Sequence, residues 1–373
     1  MPLASNAFLN AISTAVPKYE RHREFVESLP HWIRPTELVD KIRQIIEKAG
    51  IERRYTVLSN PLGPTGSDAF YIYGNFPTTQ RRMEVYRQEA LPLSLQAVQG
   101  IPDFPAAEIT HLIVTSCTGF YAPGVDIDLV RELGLSPRVK RTLIGFMGCY
   151  AAATGLRQAR EIIQADPNST VLMVNVELCS LHLQETTALD RLVSFLLFAD
   201  GAAASIISSK PVGLRLDDCY SHLSLANADR MGWVIEDQGF AMSLDVRVPI
   251  LIKKFITQNP EAVGSAGLKP DPNKLWAVHP GGKSIVDAVQ AACQISDAQV
   301  EVSRRVLRNF GNMSSATLMF ALQEILSEAD EIERPGHALA FGPGLTLEGV
   351  DFTRLAKANG NSTPSHPRSS VAG

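Results

Sequence analysis

Short apolar runs alternate with helix-like segments along most of this chain. Four continuous runs of strand length occupy its first part: HLIVTS (111–116), RTLIGF (141–146), TVLMVNVEL (170–178) and GAAASIISS (201–209). Two more, KLWAVH (274–279) and HALAFG (337–342), enclose three helix-like segments further on. Strands that are apolar along their whole length are typical of a sheet covered by helices on both faces. The pattern therefore predicts an α/β protein.

The same rhythm divides the chain into two α/β halves that meet near Lys210–Gly213. We predict one half at 1–210, a second at 211–358, and a polar, turn-rich and disordered tail at 359–373. Residues 20–50 are helix-like and end at Gly50, which suits a helix stop. The turn formers in 59–79 predict a surface excursion.

Composition narrows the possible functions. The 373 residues are 45% hydrophobic, enough for two cores or one large two-lobed core. The net charge of −4 supplies no basic field for nucleic acid. No apolar run approaches the roughly 20 residues that span a bilayer, and the N-terminus lacks the pattern of a secretory signal. We therefore expect a cytoplasmic protein that inserts into no membrane.

The five cysteines give no sign of a disulfide framework or a metal site. They lie at positions 117, 149, 179, 219 and 293, without a CxxC pair or a Cys/His cluster. We expect reduced thiols, no metal and no cofactor.

Three residues with complementary chemistry occur where strand-like runs meet glycine turns or small-residue helices. Cys149 lies in GFMGCYAAATGL, His279 in WAVHPGGKSI and Asn312 in NFGNMSSATLMFAL. A thiol at a helix N-terminus would have a lowered pKa, and an imidazole and a carboxamide could stabilise an oxyanion or enolate. Each residue also has a plainer explanation: a buried structural cysteine, a turn histidine and a helix N-cap. The loop around Gly342 and Pro343 could form a wall of a reaction chamber or be only a tight turn.

Seven motifs in order resemble those of the type III polyketide synthases, the chalcone-synthase-like branch of the thiolase superfamily. They are TSCTGFYAPGVDIDLVRELGL, GFMGCYAAATGLRQA, VNVELCS, LLFADGAAASI, WAVHPGGKSI, GNMSSAT and AFGPGLT, spread over nearly the whole chain. The resemblance implies a five-layered α/β/α/β/α fold of two similar halves and a homodimer. The wording of the motifs is closer to bacterial than to plant members.

The resemblance also implies roles for individual residues. Cys149 would carry the starter and the growing chain as a thioester, while His279 and Asn312 would hold the malonyl-CoA carbonyl during decarboxylation. Phe198 would guard the junction between a CoA tunnel and the cavity, although from the sequence alone it is a core strand residue. Met242 replaces a second gatekeeper phenylalanine, and Ala122 replaces a methionine that crosses into the partner's pocket.

Further pocket and CoA residues follow from the same comparison. The other expected cavity residues are Trp233, which could shorten the cavity, His182, Cys117, Ser314, Gly342 and Pro343. The expected CoA-phosphate residues are Lys41, Lys48, Lys283 and Arg43, the last standing in for an arginine missing at Gln44. For Met242, Lys41 and Lys48 the alternatives are ordinary packing and a solvated helix face, and for Cys117 a structural thiol.

The sequence thus predicts an acyltransferase that loads an acyl-CoA starter on Cys149 and extends it with malonyl-CoA. A medium or long fatty acyl starter is favoured, with release as an alkylresorcinol, an alkylpyrone or a related aromatic polyketide. A ketoacyl synthase III-like enzyme, which condenses once, uses the same three residue types and remains the alternative. The order of Cys, His and Asn also fits a papain-like thiol hydrolase, but the surroundings of Cys149 do not. An intact triad disfavours a catalytically silent partner subunit.

Overall fold

Fifteen strands and ten α-helices occur in the described part of the chain. The computed structural model describes residues 5–33, 36–186, 188–264, 270–328 and 331–356, so the expected tail lies outside it. The strands are β1 (Ala7–Ala15), β2 (Tyr19–Glu20), β3 (Tyr55–Thr56), β4 (Leu62–Gly63), β5 (Tyr71–Ile72), β6 (His111–Ser116), β7 (Lys140–Gly145), β8 (Thr170–Leu178), β9 (Asp200–Ser208), β10 (Leu214–Leu223), β11 (Met231–Glu236), β12 (Gly239–Leu244), β13 (Leu275–Val278), β14 (Arg334–Gly342) and β15 (Thr346–Arg354). The helices are α1 (His22–Trp32), α2 (Thr36–Ala49), α3 (Thr79–Gln99), α4 (Val125–Glu132), α5 (Ala151–Ala165), α6 (Leu189–Leu197), α7 (Val248–Gln258), α8 (Lys283–Cys293), α9 (Asp297–Phe310) and α10 (Ser315–Ser327).

Nine of the strands form one mixed sheet in the order β13-β14-β15-β10-β1-β9-β8-β6-β7. Within the first half, β8 and β7 flank β6 in parallel, and β9 runs antiparallel to both β8 and β1. The second half repeats four of these five strands: β13 is parallel to β14, and β15 is antiparallel to both β14 and β10. Apart from β7, which has no counterpart among the described strands of the second half, the two halves share one topology and are joined where β1 pairs antiparallel with β10.

Two helices lie between the halves. α5 and α10 contact strands of both halves, including β1, β8 and β14. Every residue of β8 and β9 is buried, as expected for strands with helices on both faces. α5 is rich in small residues, and a side chain at Gly155 would come within 2.6 Å of the Met173 sulfur. The close fit of this helix on the sheet therefore depends on glycine at that position.

Other helices cover the outer faces and complete the layers. α3 and α4 pack on the outer face of the first half, where Val85, Leu93 and Leu129 join its core. α7, α8 and α9 form the apolar core of the second half with β13 and β14. When the strands of each half are counted as one layer, the order of layers is helix, sheet, helix, sheet, helix, as the family resemblance implied.

The segment 59–79 is more than a surface excursion, so that prediction was wrong in part. It contains the short β4–β5 pair, and Tyr71 and Phe76 are buried with their rings 5.0 Å apart. The Tyr71 hydroxyl donates a hydrogen bond to the Ser180 carbonyl at 2.7 Å. Two aromatic side chains therefore fix a loop whose glycines and prolines indicated exposure.

Candidate active site

Cys149 lies in a single helical turn, Gly148–Tyr150, between β7 and α5. Gly148 has a φ of +73°, and a Cβ there would lie 2.5 Å from the Pro343 ring. Only glycine satisfies both conditions without strain. The tight turn thus brings the thiol against the Pro343 loop, which follows β14.

His279 and Asn312 are positioned by backbone hydrogen bonds at the ends of other elements. The His279 N–H donates to the Leu339 carbonyl of β14 at 2.7 Å. The Asn312 N–H donates to the Leu197 carbonyl, and its carbonyl accepts from the Ala199 N–H, both at 2.8 Å. Residues from both halves therefore converge on one place.

Cys149, His279 and Asn312 line one cavity, which we call the triad cavity. Phe198, Met242 and several aliphatic side chains complete its wall. A second cavity, the cysteine cavity, is lined by three thiols (Cys117, Cys149 and Cys179), together with Trp233, Ser314 and Pro343. Because Cys149, Phe198 and Met242 line both, these three residues lie at the junction of the two cavities.

The Asn312 side chain bonds to the segment that starts α10 and also lines the cavity. Its Oδ1 accepts hydrogen bonds from the Ser314 N–H at 2.9 Å and the Thr317 hydroxyl at 3.4 Å. Its Nδ2 donates to the Gly281 carbonyl at 3.2 Å. The N-cap of α10 is Ser314, so the cap explanation for Asn312 was wrong. The bonds to its oxygen instead fix the orientation of the amide nitrogen, which keeps a second N–H available as a donor.

His279 is buried without a partner for its ring. Both ring nitrogens are shielded from solvent, and neither has a hydrogen-bond partner among the described residues. Burial lowers the pKa of His279 to about 3, so the imidazole is neutral. Buried polar atoms of this kind are uncommon in folded proteins and mark a place where a ligand can be held.

The Cys149 thiol is not acidified in this state, contrary to the expectation from its helix N-terminus. Burial, with a smaller contribution from the charge of Glu177, raises the pKa of Cys149 to about 12. Side-chain hydrogen bonds from Ser314 and Asn312 oppose this shift. Desolvation in the closed cavity outweighs the helix and the two donors, so thiol and imidazole are both neutral.

Comparisons with known proteins agree with this geometry. Two family profiles match: "Chalcone and stilbene synthases, N-terminal domain" over residues 4–211 and the corresponding C-terminal domain over residues 225–355. The chain belongs to the chalcone and stilbene synthase family. An "alpha-pyrone synthesis polyketide synthase-like Pks18" of Mycobacterium tuberculosis is 33% identical over 328 residues, covering 84% of this chain and 82% of Pks18.

Solved structures place the chain in the same group. The type III polyketide synthase domain of Steely1 from Dictyostelium has a TM-score of 0.86 at 25% identity, covering 94% of this chain and all of that domain. PKS-I of the brown alga Ectocarpus siliculosus has a TM-score of 0.84 at 26% identity, covering 95% of this chain and 99% of PKS-I. The predicted fold and enzyme class are confirmed: this is a bacterial-type type III polyketide synthase, a condensing acyltransferase.

A buried carboxylate next to the chamber of this synthase was missed by the sequence analysis. Glu177 accepts hydrogen bonds from the Cys117 N–H at 3.0 Å, the Thr118 hydroxyl at 2.8 Å and the Ser315 hydroxyl at 2.6 Å. The Cys117 sulfur lies 3.2 Å from the Ser314 hydroxyl, so the network reaches the wall of the cysteine cavity. Burial raises the pKa of Glu177. A single acidic residue inside the apolar run TVLMVNVEL was the available signal.

Of the remaining predicted pocket residues, some line a cavity and others lie behind the residues that line it. Trp233 lines the cysteine cavity and donates from Nε1 to the Cys117 carbonyl at 2.7 Å. His182 does not line it; its ring lies 5.5 Å from that of Trp233 and stacks on Phe240. Gly342 also stands behind the wall, where a Cβ would lie 2.6 Å from the Tyr150 ring. Ala122 is exposed, at a distance from both cavities of its own chain, in a cis Ala122–Pro123 turn.

The predicted CoA residues lie on two helices that touch. Lys41, Arg43 and Lys48 are exposed on α2, which contacts α8, where Lys283 is ion-paired with Asp287 at 2.9 Å. Seven residues are two helical turns, so Lys41 and Lys48 share a face, while Arg43 points away from it. Lys41 and Lys48 thus form a cationic face on a helix that contacts α8.

Enzymes of this family act on acyl-CoA and malonyl-CoA thioesters without a cofactor. Within the described residues, no group of three or more His, Cys, Asp or Glu side chains could hold a metal ion. None of the described helices is both long and apolar enough to cross a membrane.

Proposed function

We propose that Cys149 is the nucleophile of this type III polyketide synthase. We propose further that His279 carries its proton and that His279 and Asn312 act as hydrogen-bond donors. The observation that carries this assignment is the shared triad cavity, in which neither His279 ring nitrogen has a hydrogen-bond partner among the residues that the structure describes. In the loading step the Cys149 proton moves to His279 and the thiolate attacks the starter thioester. The carbon–sulfur bond to CoA breaks, and the CoA sulfur takes the proton from His279.

Because Cys149 and His279 are both buried, forming the thiolate and the imidazolium together is favoured over forming either charge alone. A lone thiolate or a lone imidazolium is destabilised in the cavity, as the raised pKa of Cys149 and the lowered pKa of His279 indicate. Transfer of one proton between them creates adjacent opposite charges, which offset much of this desolvation penalty. The Asn312 and Ser314 donors then stabilise the thiolate.

Extension uses the same donors on malonyl-CoA. Loss of carbon dioxide leaves an electron pair that becomes an enolate, and its oxygen accepts hydrogen bonds from the His279 N–H and the Asn312 amide. The enolate carbon attacks the Cys149 thioester, and the carbon–sulfur bond breaks to give a 3-oxoacyl-CoA and the Cys149 thiolate. Phe198 and Met242, at the junction of the cavities, keep water from the malonyl carboxylate, and a dry, apolar environment favours neutral carbon dioxide.

The starter is a fatty acyl group, released after extension as an alkylpyrone or alkylresorcinol. The cysteine cavity supports this because its lining is almost wholly apolar. Pks18, named for alpha-pyrone synthesis, is a relative over most of both chains. The Trp233 indole, fixed by its hydrogen bond to Cys117, closes one side of the cavity and limits the length of chain it can hold.

Substrates reach the cavities past α2 and α8. The protein acts as a homodimer with a second copy of the chain. Lys41, Lys48 and Lys283 supply positive charge for CoA phosphates on that side. Ala122 lies in an exposed turn near the exposed apolar residues Ile127 and Leu143, which suits contact with a partner subunit. The chain divides for these purposes into halves at 1–210 and 211–358.

Product analysis tests the assignment directly. Purified protein is incubated with malonyl-CoA and starters from acetyl-CoA to stearoyl-CoA, and products are identified by mass spectrometry. Triketide or tetraketide products support polyketide synthesis and the preferred starter sizes the cavity, whereas a single 3-oxoacyl product would indicate the ketoacyl synthase III-like alternative.

The Cys149→Ala variant separates the roles of the triad. We expect it to form no condensation product but to retain malonyl-CoA decarboxylation, since His279 and Asn312 remain. Cys219→Ala, on β10 and outside both cavities, is the matched control and should behave like the wild type. Loss of decarboxylation together with condensation in Cys149→Ala would contradict this division of roles.

A further inference from the structure

The turn that carries Cys149 begins with a residue in an unusual backbone conformation. Phe146 follows the last residue of β7 and has a φ of +58°. Left-handed backbone is common for glycine but rare for a bulky aromatic residue, because its Cβ crowds the neighbouring carbonyl. Gly148, two residues later, is also left-handed. The chain therefore turns sharply between the end of β7 and the thiol.

Other left-handed residues with side chains lie beside the reaction cavities. Ser314, with a φ of +47°, lines the cysteine cavity, and Leu345, with a φ of +46°, is next to the Pro343 loop. Gln294, in contrast, is the ordinary left-handed end of α8. Strain of this kind persists only where the surrounding structure holds it, and it is often stored at functional sites. The packing around Phe146 therefore matters to the site.

Two aromatic rings from other elements hold Phe146. Its ring centroid lies 5.3 Å from that of Phe120, in the loop after β6, and 5.5 Å from that of Phe240, on β12. Both distances are typical of favourable aromatic pairs. Phe120 also lies against the backbone of Gly145, where a Cβ would come within 2.8 Å of its ring. Phe120 thus fixes both the end of β7 and the residue that starts the turn.

The second supporting ring is firmly placed. Phe240 is 2% exposed, its N–H donates to His182 Nδ1 at 3.0 Å, and the two rings stack with centroids 4.3 Å apart. The same strand carries Met242, which lines both cavities. Phe146 therefore connects the turn of the nucleophile to a strand of the cavity wall.

Phe146 itself is outside the reaction space. Its half-buried ring lines neither the triad cavity nor the cysteine cavity as the structure describes them, and it has no polar side-chain atom. Any effect of this ring on the reaction must act through the position of Cys149. Attack on a thioester is sensitive to that position, since a displacement of about 1 Å can lower a rate about 100-fold.

We propose that Phe146 is a positioning residue for the nucleophile. Its ring, held between Phe120 and Phe240, keeps the backbone in the left-handed turn and so fixes the Cys149 sulfur where an incoming thioester can reach it. This inference rests on the proposed function of Cys149. It separates two partial reactions: transfer of an acyl group to Cys149 needs the sulfur in place, whereas malonyl-CoA decarboxylation uses donors on other segments.

The full-length Phe146→Ala variant allows the two partial reactions to be compared. Acylation is measured with octanoyl-CoA in the absence of malonyl-CoA, by quenching at intervals and determining the mass of the intact protein. Decarboxylation is measured as carbon dioxide released from malonyl-CoA alone. We expect acylation to be about 10-fold slower or more, and decarboxylation to stay within about twofold of the wild type. A smaller folded fraction would instead lower both rates equally.

Phe255→Ala is the matched control. Phe255, on α7, is also half-buried and packs on an aromatic ring, that of His222, with centroids 6.3 Å apart. It lines neither of the two cavities. Loss of its ring should lower the melting temperature, as removal of packed apolar atoms does, but both rates should stay within about twofold of the wild type.

Two further variants distinguish the ring from the strained backbone. Phe146→Gly removes the same ring but accepts the left-handed conformation without strain, so it should melt at a higher temperature than Phe146→Ala while acylating as slowly. Phe120→Ala removes a supporting ring and should slow acylation several-fold. Combining it with Phe146→Ala should slow acylation by less than about twofold further, because the contact between the rings is already lost.

Three results would overturn the inference: unchanged acylation in folded Phe146→Ala, acylation and decarboxylation that fall in the same proportion, or an equal loss in Phe255→Ala. A wild-type protein that takes up no acyl group from any starter between acetyl-CoA and stearoyl-CoA would instead contradict the proposed function of Cys149. Equal acylation of the wild type and Phe146→Ala would contradict the role of Phe146 alone.

Discussion

His182 and His279 are both buried on the borders of the reaction chamber, but their surroundings differ. His182 Nε2 donates to the Thr118 carbonyl at 2.7 Å, its Nδ1 accepts from the Phe240 N–H at 3.0 Å, and its ring stacks on Phe240. Neither His279 nitrogen has a partner among the described residues. Burial lowers the pKa of each to about 3.

The pKa values therefore do not separate the two histidines, whereas the hydrogen bonds do. His182 uses all its polar atoms within the protein and supports the Trp233 wall, so it is a structural residue. His279 keeps its polar atoms for a substrate. In this chamber, an unsatisfied buried group is a better guide to chemistry than a perturbed pKa.

Replacing His279 should produce the largest effect on activity. We expect His279→Ala to lower the rate of polyketide formation by roughly 10²–10⁴-fold, the usual contribution of a proton carrier, because the enolate also loses a donor. Its melting temperature should change little, since the imidazole lines an existing cavity and its ring makes no hydrogen bond with any described residue. Product formation and a thermal melt measure the two quantities, and a variant with near-normal turnover would remove His279 from the mechanism.

Replacing His182 should reverse that pattern. His182→Ala leaves the Phe240 N–H and the Thr118 carbonyl buried without their partner and removes a stacked ring, at a cost of about 3–5 kcal/mol of unfolding free energy. The rate per folded molecule should fall far less than in His279→Ala. Chemical denaturation provides the measurement. Equal stability of the two variants would contradict the contrast between the histidines.

A fall in pH should reveal the lowered pKa that the two histidines share. A histidine with a folded pKa near 3 stays neutral while the unfolded chain takes up a proton below its usual value of 6.5, so its stabilising contribution is lost as pH falls below 6.5. From pH 7.5 to 5, wild type should lose about 2 kcal/mol more unfolding free energy than His279→Ala, which lacks that titration. Denaturation at the two pH values tests this, and parallel losses would show that His279 is charged in the folded state.

A change at the junction of the cavities should have the smallest effect. Met242 pairs with Trp233 across the β11–β12 hairpin and lines both cavities. Met242→Phe should narrow the passage and shift preference several-fold toward shorter starters, measured by competition between octanoyl-CoA and palmitoyl-CoA. Met242→Leu, of similar volume, is the control. An unchanged chain-length profile would show that Met242 is part of the wall only.

The sequence predicted those strands whose apolar pattern is the same whichever elements they pack against. β6 and β8 coincide with the runs HLIVTS and TVLMVNVEL because they are apolar throughout. β15 was not predicted, since TLEGVDFTR carries Glu348, Asp351 and Arg354, all buried in the structure. Their partners, such as His337 for Asp351, come from other elements. Because these polar residues are paired with residues far away in the sequence, the segment shows no local hydrophobic periodicity that would identify it as a buried strand.

For the site, the sequence motifs predicted that Cys149, His279 and Asn312 share one cavity. The positions of the residues around that cavity could be found only from the three-dimensional structure. His182 was expected to line the chamber, but the β11–β12 hairpin places Trp233 in front of it. The expected lowering of the Cys149 pKa was wrong because a helix terminus is visible in a sequence, whereas the desolvation of an enclosed cavity is not.

The central position of β1 has a consequence for how the protein is made. Ala7–Ala15 leave the ribosome well before their neighbours in the sheet, which are residues 202–208 and 214–216. A nascent chain therefore carries an apolar strand with both edges open until those later residues have been synthesised. Translation of the first half alone would leave β1 without β10, so the two halves should be poor candidates for separate expression or exchange.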